Sequence, residues 1–272
     1  MISRQEYFTI SILNKLTQNA DLIKRKWANP VGTNTRYFIL DDLLDPHECI
    51  DIYKAFPRGG NGFIFHNSFR EKKKTSAYLF SLDQIFSDII YAFQDKRIVD
   101  SIANLVDFNE LQPDPELYAG GLSMMFFSDF LNPHIDNSHD SKIKKYRRLN
   151  LLYYVTPKWK KENGGNFELW DDRKKIPVVI PSLFNRLVVM ETNKYSWHSV
   201  SPVRIHHPRC CISTYYFSNH SPDDTSYFHI TKFTGRPNQK IKKIIGLFDN
   251  LIRNIISKNL KIGRGKKLTN KK

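Results

Sequence analysis

From Gly121 to Phe217 the chain is written in short apolar runs, each cut off by Pro, Gly, Asn or Asp. Helices of ordinary length do not survive such punctuation, but about seven β-strands fit it. Strands so short and so closely spaced bury their apolar faces by forming a sandwich or jelly roll. The flanks read differently. Tyr7, Ile10, Leu13 and Leu16 stand at helical spacing, which predicts one or two helices over residues 3–27, closed by Pro30 and Gly32. Tyr37-Phe38-Ile39-Leu40 reads as a strand, and Pro46 opens a helix to about Ala55 with Asp45 as its N-cap. Leu82, Ile85, Phe86, Ile89, Ile90, Phe93 and Ile102 predict one long amphipathic helix over residues 82–105. The expected class is α+β with a mainly β core.

Inside the β-rich stretch, His134-Ile135-Asp136 is followed by His198 and then by Arg209. In an extended segment residues two apart point to one side. One imidazole, a carboxylate and a distant second imidazole can then share one face of a metal ion and leave its other positions open, the 2-His-1-carboxylate arrangement of non-haem Fe(II) oxygenases. Arg209 opens a run, Arg-Cys-Cys-Ile-Ser-Thr-Tyr-Tyr-Phe, in which Arg209, Cys211, Ser213 and Tyr215 share a strand face. A guanidinium fork there suits a carboxylate, with the Ser213 hydroxyl as a second donor. A small 2-oxo diacid needs both ends provided for in this way. The remaining histidines, His139, His206, His207, His220 and His229, lack comparable context and read as structural or solvated. Gly164-Gly165 reads as a turn.

The stretch from about Tyr37 to Pro222 resembles the prolyl-4-hydroxylase-like branch of the 2-oxoglutarate/Fe(II) dioxygenases. The resemblance rests on Gly120-Gly121-Leu122, the His134-Ile135-Asp136 motif, the run from Arg147 to Val155, Trp159, the run from Gly164 to Trp170, the run from Asn185 to Met190, His198 and Arg209. It implies a double-stranded β-helix, or jelly roll of cupin type, with flanking N-terminal helices and a C-terminal basic helix. It implies Fe(II) on His134, Asp136 and His198, 2-oxoglutarate on Arg209 and Tyr154, O2 as cosubstrate, and ascorbate as an accessory. Many relatives carry Ser or Thr two positions after the arginine; Cys211 stands there, so Ser213 is the candidate for that contact. The implied activity is hydroxylation of an unactivated C–H bond with release of succinate and CO2. The substrate class stays open among amino acids, peptides, saccharides and anionic small molecules. The alternatives are a nucleic-acid-directed oxidative dealkylase and a non-catalytic binding protein on the same fold. The dealkylase reading requires a second arginine six residues beyond Arg209, where Tyr215 stands. A halogenase would have replaced Asp136 with a small residue.

Charge separates the C-terminal part from the rest. Residues 240–272 hold nine lysines and two arginines against Asp249, so +10 of the total +15 lies there. Ile241, Ile244, Ile245, Phe248, Leu251, Ile252, Ile255 and Ile256 line one helical face of that segment. Its apolar face is expected to dock on the domain or on a second copy, a homodimer, with peripheral contact to an anionic membrane as the alternative. The organisation expected is residues 1–35 as a helical segment, 36–235 as the dioxygenase domain, 236–260 as a basic amphipathic helix and 261–272 as a disordered basic tail. A second basic cluster, from Lys142 to Arg148, carries five cations in seven residues. Placed just after Asp136, it is expected at the pocket rim, where it would attract an anionic substrate. No apolar stretch is long enough for a membrane-spanning helix, and the reading of the first residues carries the expectation of no secretory signal. Three cysteines, two of them adjacent and pointing to opposite faces of a strand, suit a reducing cytoplasm.

Overall fold

The computed structural model describes residues 2–171 and 176–260; the tail expected to be disordered, 261–272, lies outside the described residues. In chain order the elements are α1 (Arg4–Gln18), α2 (Ala20–Ala28), β1 (Tyr37–Leu40), α3 (Pro46–Ala55), β2 (Ile64–Asn67), β3 (Glu71–Ser76), α4 (Gln84–Phe93) and α5 (Lys96–Leu105). The β-rich part follows as β4 (Gly121–Met125), β5 (Phe130–Ile135), β6 (Tyr146–Tyr154), β7 (Phe167–Trp170), β8 (Val178–Ile180), β9 (Arg186–Glu191), β10 (Trp197–Val200) and β11 (Arg209–Ser218). A two-residue β12 (Lys232–Phe233) and α6 (Lys240–Leu260) complete the described chain.

The strands form one curled antiparallel sheet in the order β1-β9-β6-β11-β4-β3-β5-β10-β7-β8, a mainly β jelly-roll architecture. β3 is the bridge. It pairs with β4 through Lys74 and Met124 and with β5 through Glu71 and Leu131, so the sheet folds over and two strand layers face each other. Side-chain alternation assigns the faces. On β6, Leu149, Leu151 and Tyr153 join the main apolar core, where α1, α2, α4 and α5 cover the sheet, whereas Asn150 and Leu152 line the cavity between the layers. On β11, Cys210, Ile212 and Tyr216 join the core while Arg209, Cys211, Ser213 and Tyr215 line the cavity.

The expected long helix over 82–105 is two helices. Gln94 ends α4 and turns its amide inward, where it bonds Thr214 and accepts from the Asp114 backbone N–H at 2.5 Å. Asp95 then caps α5, accepting from the Arg97 N–H at 2.9 Å; a capping aspartate satisfies a free N–H that a continuous helix would not present. The apolar periodicity runs through the break because both helices lie on the same core. The N-cap at Asp45 is as expected, accepting from the His47 N–H at 2.8 Å.

The C-terminal helix departs from expectation more sharply. It docks through its polar side. Asn250 clasps both backbone groups of Phe233, at 3.0 and 2.8 Å. Gly246 lies so close to that strand that a Cβ would come within 2.7 Å of the Phe233 carbonyl. Asp249 pairs with Arg70. Ile241, Ile244, Ile245, Phe248 and Leu251 face away from the domain; the side chains of Ile252, Ile255 and Ile256 lie outside those described. Among the described residues no helix is long and apolar enough to cross a membrane.

Candidate metal and cosubstrate site

β5 and β10 are neighbours with His134 and His198 directly opposite each other. Their ring centroids are 4.0 Å apart. Asp136 stands just past the end of β5 and closes the third side, with one oxygen 3.6 Å from His134 Nε2 and the other 3.6 Å from His198 Nε2. One ligand atom from each residue lies within 4.8 Å of the others.

The tautomers follow from the backbone. His134 Nδ1 lies 3.0 Å from the Asn132 carbonyl, and His198 Nδ1 lies 2.9 Å from the Ser196 carbonyl. A carbonyl only accepts, so each Nδ1 carries a hydrogen and each Nε2 is turned toward Asp136. Burial, reinforced by His198, pushes His134 down to about 3, so it is neutral near pH 7. Burial works to raise the Asp136 carboxyl, but His198, Arg147 and His134 outweigh it and hold it at about 2. Its Oδ2 is buried without a hydrogen bond. Two imidazole nitrogens and a buried carboxylate converge within 4.8 Å of one another, a group that could hold a cation. Two imidazoles and a carboxylate suit Fe(II).

Arg147 lies behind Asp136. It is 1% exposed, with Nη1 3.6 Å from Asp136 Oδ2 and its guanidinium 3.9 Å from the Tyr215 ring centroid. Arg148 faces the other way, 4.2 Å from the Phe108 centroid and donating to the His220 carbonyl at 3.2 Å. Lys142 pairs with Glu116 at 3.0 Å. The basic run therefore does not form the pocket rim, because strand alternation buries its two arginines on opposite faces of β6 and none of its residues lines the cavity. The lysine that does line it is Lys73 on β3, 3.1 Å from Glu71.

At the far side of the same cavity, of about 150 Å³, Arg209 is 3% exposed. Its Nε meets the Ser182 hydroxyl at 3.3 Å and its guanidinium lies 4.7 Å from the Tyr154 ring centroid. Among the described residues it has no carboxylate partner. Ser182 is fixed in turn by donating to the Gly165 carbonyl at 2.7 Å. The Tyr154 hydroxyl is fully buried beside Arg209 and Ser182, and burial pushes it up to about 12, so it remains a donor. A buried cation beside a buried O–H suits an anionic ligand. The Ser213 hydroxyl, four residues along β11, instead approaches the Gly121 carbonyl at 3.4 Å. It lines the cavity but does not sit with Arg209; four strand residues separate the two by roughly 13 Å. Cys211 is buried, and burial raises its thiol to about 11.

Three contributors were not read from the sequence. Ser182 lies in a loop with no motif around it. Gly165 (φ +62°) lets backbone pass Arg209 so closely that a Cβ would stand 2.7 Å from its Cδ; the turn reading was available, its purpose was not. Phe233 stacks on His134 at 5.1 Å and 17°, presented by a strand too short to announce itself.

Comparison with known proteins agrees with this geometry. Residues 120–217 match the family model of the 2OG-Fe(II) oxygenase superfamily. The prolyl 3-hydroxylase OGFOD1 of Xenopus laevis is 24% identical over 211 residues, covering 67% of this chain and 37% of its own length, so the chain spans about a third of that relative. A prolyl-4-hydroxylase of Pseudomonas putida shares the fold with a TM-score of 0.53 at 10% identity, over 72% of this chain and 98% of its own. A 2OG-Fe(II) oxygenase family oxidoreductase of Burkholderia pseudomallei does so with a TM-score of 0.51 at 15% identity, over 74% and 92%. The order of blocks along the sequence, the curled sheet that brings them together and the match over 120–217 converge on the 2OG-Fe(II) oxygenase superfamily as what this part of the chain is similar to.

Proposed function

We propose that the chain is a 2-oxoglutarate- and Fe(II)-dependent hydroxylase whose substrate is a peptidyl prolyl residue. One observation carries the first part. The buried His134, Asp136 and His198 group and a buried guanidinium with no acid partner among the described residues open into the same cavity. The two are complementary to a metal ion and to a diacid chelating it. His134, Asp136 and His198 would hold Fe(II). Arg209 and Tyr154 would hold the distal carboxylate of 2-oxoglutarate, with Ser182 keeping the guanidinium in place. When bound, iron, 2-oxoglutarate and O2 together supply an oxidant able to hydroxylate an unactivated C–H bond, with succinate and CO2 as coproducts. The protein's own part is orientation. The carbonyls of Asn132 and Ser196 fix the imidazole tautomers, and Arg147 keeps Asp136 ionised and aimed inward. Residues 36–235 are the unit proposed to do this, with 1–35 packed on it through Phe8, Ile12, Leu16, Ile23 and Trp27.

The prolyl substrate is supported by the relatives: OGFOD1 is a prolyl 3-hydroxylase by name. The cavity is also lined by the β2–β3 hairpin, whose Ile64, His66, Lys73 and Thr75 offer both apolar and polar contacts. The test is 2-oxoglutarate turnover in the presence of proline-containing peptides, matched peptides with alanine in place of proline, free amino acids and sugar nucleotides. The expected product is a proline peptide heavier by one oxygen atom, formed together with succinate. Equal stimulation by the alanine peptides would overturn the prolyl assignment and leave the hydroxylase reading standing. A dealkylase reading gains nothing from the structure, since Tyr215 is occupied in stacking on Arg147.

A further inference from the structure

We infer that α6 is a docking surface for an anionic phospholipid bilayer. The helix has two opposed sides. Lys242, Gly246, Asp249 and Asn250, at positions i, i+4, i+7 and i+8, face the domain. Lys242 lies over Phe130, and the other three meet Phe233 or Arg70. Ile241, Ile244, Ile245, Phe248 and Leu251 lie opposite, and they are 75%, 56%, 43%, 64% and 59% exposed. Scattered exposed apolar residues need no explanation, but five on one helical stripe, with the polar stripe consumed in docking, mark an interaction surface.

Charge selects the occupant. Lys240 and Lys243 are exposed beside the stripe. Across residues 240–272 the sole acid is Asp249, and it is tied to Arg70. A second copy of the chain packed on the same stripe would bring two strongly cationic segments together with no carboxylate between them. A protein partner would have to be both apolar and densely acidic. An anionic bilayer satisfies both demands with one surface: acyl chains take the isoleucines and phenylalanine while headgroups take the lysines. The docked polar side sets the helix flat on the protein surface, the orientation an interfacial helix needs. Because Asn250 clasps Phe233 and Phe233 stacks on His134, the docked side of α6 stands one residue away from the metal site.

The test is co-sedimentation of the full chain with phosphatidylcholine vesicles, with and without phosphatidylserine, at low and high salt. The expected result is binding to the phosphatidylserine vesicles alone, weakened by salt. Ile244→Ser with Phe248→Ser, and separately Lys240→Glu with Lys243→Glu, should each weaken it by about tenfold or more. All four residues are exposed, so unchanged thermal unfolding serves as the check that the variants fold. Failure of the wild-type chain to sediment with either vesicle would overturn the inference. So would equal binding to neutral and anionic vesicles, or a dimer in solution that the Ile244/Phe248 variant converts to monomer while vesicle binding is unmoved.

Discussion

Arg209→Met separates a cosubstrate-binding role from a structural one because the two predict opposite signs. In the folded chain the guanidinium is 3% exposed, makes two long hydrogen bonds at 3.3 Å, to Ser182 Oγ and to Met125 Sδ, and one ring contact at 4.7 Å to Tyr154, and has no acid partner among the described residues. Methionine fills similar length without charge. Losing the ring contact costs about 1–2 kcal/mol, while relieving the burial of an uncompensated cation returns several kcal/mol. The ligand-free variant should therefore unfold at the same temperature as wild type or higher. Binding should move the other way. Losing one member of a buried charge pair costs about 2–5 kcal/mol, so the dissociation constant for 2-oxoglutarate should rise by about 30- to 5,000-fold. Differential scanning calorimetry of the ligand-free chain and anaerobic isothermal titration with 2-oxoglutarate on the metal-loaded chain give the two numbers. A variant that loses stability and keeps its affinity would refute the assignment, leaving Arg209 as a packing residue.

Other outcomes follow from neighbouring geometry. Gly165→Ala places a methyl 2.7 Å from Arg209 Cδ at φ +62°, so it should cost about 1–2 kcal/mol of stability and weaken 2-oxoglutarate binding about tenfold by displacing the guanidinium; binding equal to wild type would show that the contact is slack. The metal-free chain should lose stability as pH falls from about 6.5 toward 3. Unfolded His134 takes up a proton in that window and the buried residue, held at about 3, does not, giving a slope of about 1.4 kcal/mol per pH unit from this residue. Asp136, held at about 2, adds to the fall only below about pH 4. Denaturant titrations across that range should show the slope in wild type and a flatter curve in His134→Gln. Replacing Lys142, Lys144 and Lys145 together by Ser should leave catalytic efficiency and its salt dependence unchanged, since none of the three lines the cavity; a marked fall would return the basic run to the substrate path.

The residues that sequence reasoning found are those whose chemistry is declared locally. His134 and Asp136 sit two apart on one strand, and β11 shows its face by alternation, so Arg209 could be assigned to the cavity side before any fold was known. What escaped depends on distant partners. β3 reads Glu-Lys-Lys-Lys-Thr-Ser, with no apolar alternation, yet its pairing with both β4 and β5 closes the sheet and brings Lys73 into the pocket. Ser182 acquires its place only because a loop returns past Arg209. Ser213 was a reasonable candidate by face but not by reach, since a shared strand face says nothing about separation along it. Of the surfaces expected for the apolar stripe of α6, the domain is the one it does not use, because Asn250, Gly246 and Asp249 supply a polar dock instead.

The central claim is that His134, Asp136 and His198 form an iron site that turns over 2-oxoglutarate. Succinate formed from 2-oxoglutarate in air, with and without Fe(II), for wild type and for His198→Ala, tests it most directly. The account predicts iron-dependent succinate from wild type and none above background from the variant, whose fold should survive because the deleted ring leaves the β5–β10 pairing intact. Succinate release from His198→Ala equal to wild type, or release independent of Fe(II), would contradict it.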